Sequence, residues 1–150
     1  MSNELFKLQF AELMEKTGEK AAEVARQLAI SLQQSIITKS PVDTGRFRNN
    51  WVYGINAVDA TTTEDVDKSG ADTLKWAKAT LQHFKAGDTI YITNSLPYAQ
   101  TLEYGLYPNP PKGGAGKTVG GYSTQAKAGM VCITVVEFCQ YIEKVIAELK

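Results

Sequence analysis

The string Gly113-Gly114-Ala115-Gly116-Lys117-Thr118 is the stretch of this sequence whose residue types come nearest to a catalytic device. A phosphate-binding loop, G-x-x-x-x-G-K-[ST], cradles phosphate with backbone N–H groups and adds the positive end of the helix that follows. Here Pro111 stands where the first glycine of that motif belongs. Pro108-Asn109-Pro110-Pro111 precedes the string in place of a strand, and Val119-Gly120-Gly121 follows in place of a helix. The string therefore reads as loop composition. A small nucleotide-binding enzyme using Gly116, Lys117 and Thr118 is kept as the alternative from another class.

The remaining reactive side chains assemble no site in the sequence. His83 is the only histidine, beside Lys85 and Gly87 near a helix end, and no Ser or Cys nucleophile with an acidic orienter can be placed next to it. Cys132 and Cys139 are seven apart on an expected helix, which separates their Cα atoms by ~10 Å, too far for a disulfide. Without CxxC spacing they also make no zinc site. Glu64, Asp65 and Asp67 lack the glycine and glutamate pattern of a calcium loop and read as a solvated loop. No cofactor and no metal is expected, and the chain is read as a non-enzyme.

Two groups point to binding. Arg46 and Arg48 alternate with Phe47 at the start of an expected strand, so they project away from the core. They either meet DNA phosphates or an acidic partner, or simply cover an exposed strand face. Tyr98, Tyr104, Tyr107 and Tyr122 gather around a glycine-rich stretch. Tyrosine supplies contact area at low entropic cost, so this is a candidate contact surface, with packing under a loop as the other reading.

The elements that must carry these residues follow from periodicity. Residues 3–39 contain no proline, and Phe6, Phe10, Leu13, Met14, Ala21, Ala25, Leu28, Leu32 and Ile36 recur at spacings of three and four. That predicts a long helix, with Gly18 as a place to bend and Pro41 as its stop. Unbroken it would measure ~50 Å, longer than one small domain can cover. Its apolar stripe, with Phe6, Phe10 and Leu13 toward the start, is thus expected at subunit contacts. After the Asp43-Thr44-Gly45 turn, Phe47, Asn49, Trp51, Tyr53 and Ile55 alternate and predict a half-buried strand. Residues 56–71 read as a loop. A short helix follows, capped by Asp72, with Leu74, Ala77, Leu81 and Phe84 on one face. Residues 89–93 predict a second strand, and Pro97 opens a short helix that ends at Gly105. Residues 106–122, with three prolines and five glycines, are expected to be mobile or ordered only by a neighbour. From Val131 to Leu149, period-four spacing through Val135, Phe138, Ile142 and Val145 favours a helix over the local β-propensity.

The chain has 150 residues, 43% hydrophobic and 21% charged, with 16 basic and 16 acidic residues. That suits one soluble domain over residues 1–150 and supplies no long-range attraction for nucleic acid or an anionic membrane. No apolar run approaches the ~20 residues of a membrane span, and the start lacks a signal peptide, so a cytoplasmic product is expected.

Ser40-Pro41-Val42-Asp43-Thr44-Gly45-Arg46-Phe47-Arg48, followed by Trp51, resembles the tailed-phage tail-component family, also called tail-completion or neck proteins. Tyr91-Ile92-Thr93-Asn94-Ser95-Leu96-Pro97-Tyr98-Ala99, then Leu102-Glu103-Tyr104-Gly105, is similar to that family's strand, turn and helix end. Gly129-Met130-Val131, running into Val136-Glu137-Phe138, is similar to its last helix. Residues 56–86 look like an insertion or variable arm.

The resemblance implies a structural virion protein at the head-to-tail junction, assembled as a ring around the DNA conduit, with no catalytic residues to carry over. Its implied partners are further copies of itself, the connector or stopper, and the tail terminator or tail tube, with a lumen open to non-specific DNA contact and no membrane. A tail terminator or another minor tail component is the nearest alternative. The implied location is the virion, after assembly in the host cytoplasm. The expected architecture is α+β: a long N-terminal and a C-terminal helix packed on a small, mainly antiparallel sheet, with short helices and a Gly/Pro-rich loop.

Overall fold

The computed structural model describes residues 7, 9, 11–12, 21–106, 118–119, 122–123 and 128–148. Helix α1, Ala21–Lys39, has no glycine or proline and buries Ala21, Ala25, Leu28, Ala29, Gln33, Ile36 and Ile37. From Ala21 onward the apolar stripe is therefore covered by the rest of the chain. Lys7, Gln9, Ala11 and Glu12 have helical backbone, and Gln9 Nε2 donates to Glu143 Oε1 at 2.9 Å. Phe6, Phe10, Leu13 and the Gly18 bend lie outside the described residues, so the expected helix is described continuously only over Ala21–Lys39, with helical backbone at the four earlier positions.

The strand expected from Phe47 begins later. Arg46–Asn49 is a single helical turn, α2, and β1 is Val52–Ile55. The pattern misled because positions 47 and 51 lie two strand repeats apart and one helical turn apart, so period two and period 3.6 both put them on one face. Gly45 decides between them. At φ 98° it turns the chain, and its carbonyl accepts the Asn49 N–H at 3.0 Å. Phe47 and Trp51 are both buried, their rings edge to face with centroids 5.7 Å apart.

Strand β1 pairs antiparallel with β2, Ile90–Thr93, in the register Val52↔Thr93 to Ile55↔Ile90. Between them the chain runs through the 56–70 loop and helix α3, Ala71–Leu81. Ala77, Leu81 and Phe84 pack with Ala25, Ala29 and Tyr53 in one apolar cluster, so α3 belongs to the core. The Tyr53 hydroxyl donates to the Ala29 carbonyl, and burial pushes its pKa up. Helix α4, Ala99–Glu103, then precedes a two-residue ladder of β3, Thr118–Val119, with β4, Tyr122–Ser123.

The last element, α5, is Met130–Glu148. Burial along it follows Met130, Thr134, Phe138 and Ile142, so the inward face is set slightly round from the one expected through Val131 and Val135, which are half-buried. Phe138 and Ile142 pack on Leu28, with Val24 and Leu32 beside them, and Lys39 pairs with Glu137 at 2.7 Å. Helices α1 and α5 thus run together, α3 packs against both α1 and β1 of the small antiparallel sheet, and the fold is α+β.

Candidate functional site: a hydrogen-bonded junction and the surface beside it

The Ser40 to Arg48 stretch leaves α1, reverses and enters α2, and its polar groups are spent inside the chain. Ser40 Oγ donates to the Ile36 carbonyl at 2.7 Å and accepts Trp51 Nε1–H at 3.0 Å. The Trp51 carbonyl accepts Gln33 Nε2 at 3.1 Å. Arg48 donates to the Ser40 carbonyl through Nη2 at 3.0 Å and Nε at 3.2 Å, and to the Lys68 carbonyl through Nη1 at 2.8 Å. A rigid guanidinium fork suits this double duty, because it ties two chain segments with fixed geometry. Burial pulls the Arg48 pKa down, and the charge of Asp67 opposes that. Arg46 holds the same loop by donating to the Thr63 carbonyl at 3.4 Å and pairing with Glu64.

The 56–70 loop is anchored from its own side by Asn50 and Asp67. Asn50, fully buried, donates through Nδ2 to the carbonyls of Arg46 and Thr63 at 2.7 and 3.0 Å, and accepts the Thr63 N–H at 2.8 Å. Asp67, which composition alone groups with a solvated acidic loop, is only 6% exposed. Its N–H donates to the Gly45 carbonyl at 3.2 Å. Its Oδ1 accepts the Gly70 N–H and the Ser69 hydroxyl, both at 2.8 Å, and its Oδ2 accepts the Thr73 N–H and hydroxyl, both at 3.0 Å. Asp67 therefore does the capping of α3 that the sequence assigned to Asp72. Gly70 at φ 78° occupies the cap position itself, where no side chain bonds back, and Asp72 sits exposed in the first turn. Burial works against the Asp67 charge, and the hydrogen bonds from Thr73, Ser69 and Gly70 overcome it, holding the pKa down at about 2.

A second joint is built by the stretch from Asn94 to Gly105. Asn94 Nδ2 donates to the Phe47 carbonyl at 2.9 Å, tying the end of β2 to α2. Tyr98 packs on Phe47 with ring centroids 6.2 Å apart. The Glu103 carboxylate accepts the N–H groups of Val131 at 2.9 Å and Cys132 at 3.2 Å, so a side chain from α4 caps the start of α5. An anion is favoured there, since the first turn of a helix presents unpaired N–H groups and the positive end of its dipole.

The structure brings Arg46, Arg48 and Tyr98 together around Phe47 and the 56–70 loop. Tyr104 stands apart, 61% exposed at the end of α4. Tyr107 lies outside the described residues, and of Tyr122 only the backbone in β4 is described. Thr118 opens a strand where a phosphate-binding loop needs a helix, which removes the structural support for the nucleotide reading. His83 is exposed just past α3, Cys132 is exposed and Cys139 buried. No cluster of three or more His, Cys, Asp or Glu suited to a metal occurs among the described residues, and no helix there is long and apolar enough to cross a membrane. Sequence reasoning missed Ser40, Asn50, Asp67 and Glu103 as joints and Trp76 as a surface residue. Asp67-Lys68-Ser69-Gly70 did carry a signal, because an Asp followed by Ser and Gly just before a helix is a side-chain-to-backbone turn.

Fold and junction together define a small α+β scaffold whose signature side chains hold its own elements in place. The family model described as "Bacteriophage HK97-gp10, putative tail-component" matches residues 5–105, about two thirds of the chain, including both joints. The chain belongs to this HK97-gp10-like family of phage tail components. Neither the curated proteins nor the solved structures yield a significant match.

Proposed function

We propose that this chain is a tail-completion or neck subunit that forms a ring at the phage head-to-tail junction and joins the connector to the tail. The observation that carries the reading is the tail-component match across residues 5–105, which takes in the turn at Gly45 and the Asn94 to Gly105 joint. The geometry agrees with an assembly part: the polar groups of the motif stretches are consumed in holding elements together, which leaves the outer surfaces for neighbours. Its neighbours in this reading are further copies of itself, the connector or stopper, and the tail terminator or tube. Arg48 gives its donors to backbone carbonyls, so any contact with passing DNA falls to other residues.

Deleting the gene from its phage tests this. The expected result is DNA-filled heads and finished tails that remain apart under the electron microscope, joined again when purified protein is added. Joined particles, or tails of uncontrolled length, would overturn the junction role and favour a minor tail component or a terminator. Native mass spectrometry of the purified protein should show a closed species of fixed copy number, because a head-to-tail contact closes only when its rotation divides a full turn.

A further inference from the structure

Next to the junction, the 56–70 loop and α3 line an open groove of about 650 Å³. Val66 and Trp76 supply its apolar part, and they are 59% and 72% exposed. Trp76 is the most exposed large hydrophobic side chain among the described residues. Glu64, Asp65 and Asp72 line the same groove, against Lys75 alone, and the Glu64 carboxylate is shared with Arg46. A bare indole bordered by carboxylates suits an extended, basic, proline-containing segment. Such segments dock on aromatic-lined grooves at low entropic cost because proline has already restricted their backbone.

This chain contains one such segment. Between Glu103 and Glu137 the sequence has no Asp or Glu, but it has Lys112, Lys117 and Lys127. Tyr107-Pro108-Asn109-Pro110-Pro111 stands directly before Lys112. The two ends of the stretch are fixed at one place, since a Cβ on Gly105 would lie 3.1 Å from Ala128. Lys112 is seven residues past Gly105, so an extended chain could carry it up to about 24 Å from that base, far enough to meet an adjoining molecule. The acidic groove and the basic segment carry opposite charge, so the groove of one copy and the segment of another are electrostatically complementary.

We propose that the groove around Trp76 receives residues 107–117 of a second copy, so that each copy gives this segment to one neighbour and accepts it from the other. The groove and segment are different surfaces, which makes the contact head-to-tail, the kind that closes rings. The inference rests on the self-assembling reading above and names the contact that would carry it.

The test uses two full-length variants, followed by sedimentation velocity and native mass spectrometry. The groove-reversed variant carries Asp65→Lys and Asp72→Lys, and the segment-reversed variant carries Lys112→Glu and Lys117→Glu. Asp65 and Asp72 are exposed, so the groove-reversed fold should survive, as circular dichroism will show. Each variant alone should lose self-association at least tenfold. An equal mixture should regain it, because each kind of copy then finds opposite charge on both sides. Trp76→Ser should weaken association without altering the fold, and it decides the matter if either reversed variant does not fold. Parent-like association of the variants overturns this contact while leaving the ring reading intact. A monomeric parent at every concentration overturns both. If the mixture fails but all four reversals combined in one chain restore association, the segment lies in the groove of its own chain, and the second copy is the wrong occupant.

Discussion

Replacing Asp67 with Asn keeps the shape of the side chain and removes its charge, which isolates what the buried carboxylate contributes. The folded pKa of about 2 lies below the ordinary aspartate value of 3.8. At 1.36 kcal/mol per pKa unit, the charge is worth about 2–3 kcal/mol of stability at neutral pH. Because the folded value is depressed, this stability is fully present above pH ~4 and is lost as pH falls through ~2, with about half remaining near pH 3. Asn also turns one acceptor into a donor, and a donor facing the Thr73 N–H or the Gly70 N–H adds a cost on the order of 1 kcal/mol. Urea unfolding of parent and variant at pH 7, 4, 3 and 2.5 measures the difference. A gap of about 3–4 kcal/mol at pH 7 should shrink toward about 1–2 at pH 2.5. Measuring the gap cancels the other carboxylates that titrate in the same range. A gap that stays constant from pH 7 to 2.5, or that never exceeds ~0.5 kcal/mol, would refute the argument that this charge fastens the loop to α3.

Gly45→Val should destabilise by at least ~2–3 kcal/mol, because a Cβ there would sit 2.6 Å from Lys68 N and 2.7 Å from Asp67 C at φ 98°; a melting temperature like the parent's would disprove the turn. Trp51→Ala should cost ~3–5 kcal/mol and Trp51→Phe about half of that, since only the second keeps a ring against Phe47 while losing the bond to Ser40; equal chemical-denaturation midpoints for the two would contradict this. Arg48→Lys should behave nearly as badly as Arg48→Ala, a lysine having no fork to reach both Ser40 and Lys68 carbonyls, and full rescue by lysine would show that only charge matters there. Glu103→Gln should cost about 1 kcal/mol and speed hydrogen exchange at the Val131 and Cys132 amides, with unchanged exchange arguing against the cap.

What the sequence disclosed was local, and what it hid was tertiary. The helix over Ala21–Lys39 and the strand Ile90–Thr93 follow from periodicity and β-propensity within each segment. The helix Met130–Glu148 was legible for the same reason, its length outweighing the β-branched run at its start. The Gly45 turn was legible because a single residue type supplies the positive φ. The start of β1 was not, because Phe47 and Trp51 satisfy two periods at once and only the Gly45 carbonyl bond chooses between them. Nor were the anchors of the 56–70 loop, since nothing in an acidic, threonine-rich stretch tells that Asp67 is buried while Asp65 is exposed. Glu103 caps a helix whose first N–H partner is 28 residues further on, a distance no local pattern spans.

The motif residues that mark this chain as a tail component turn inward, and this bears on where its specificity lies. Arg48 serves the carbonyls of Ser40 and Lys68, Trp51 serves Ser40, Asn94 serves Phe47, and Glu103 serves the start of α5. A residue whose donors and acceptors are already matched inside the chain gains little from a partner, because binding would have to break a bond in order to make one. The groups left to meet a neighbour are those the fold does not consume, and Trp76 is foremost among the described residues, on a helix whose opposite face is locked into the core by Ala77 and Leu81. A rigid support under an exposed aromatic is what a contact point needs, since little conformational freedom then remains to be lost on binding. The joints therefore set the stiffness and placement of α3, and in the contact proposed above that stiffness serves the groove beside Trp76.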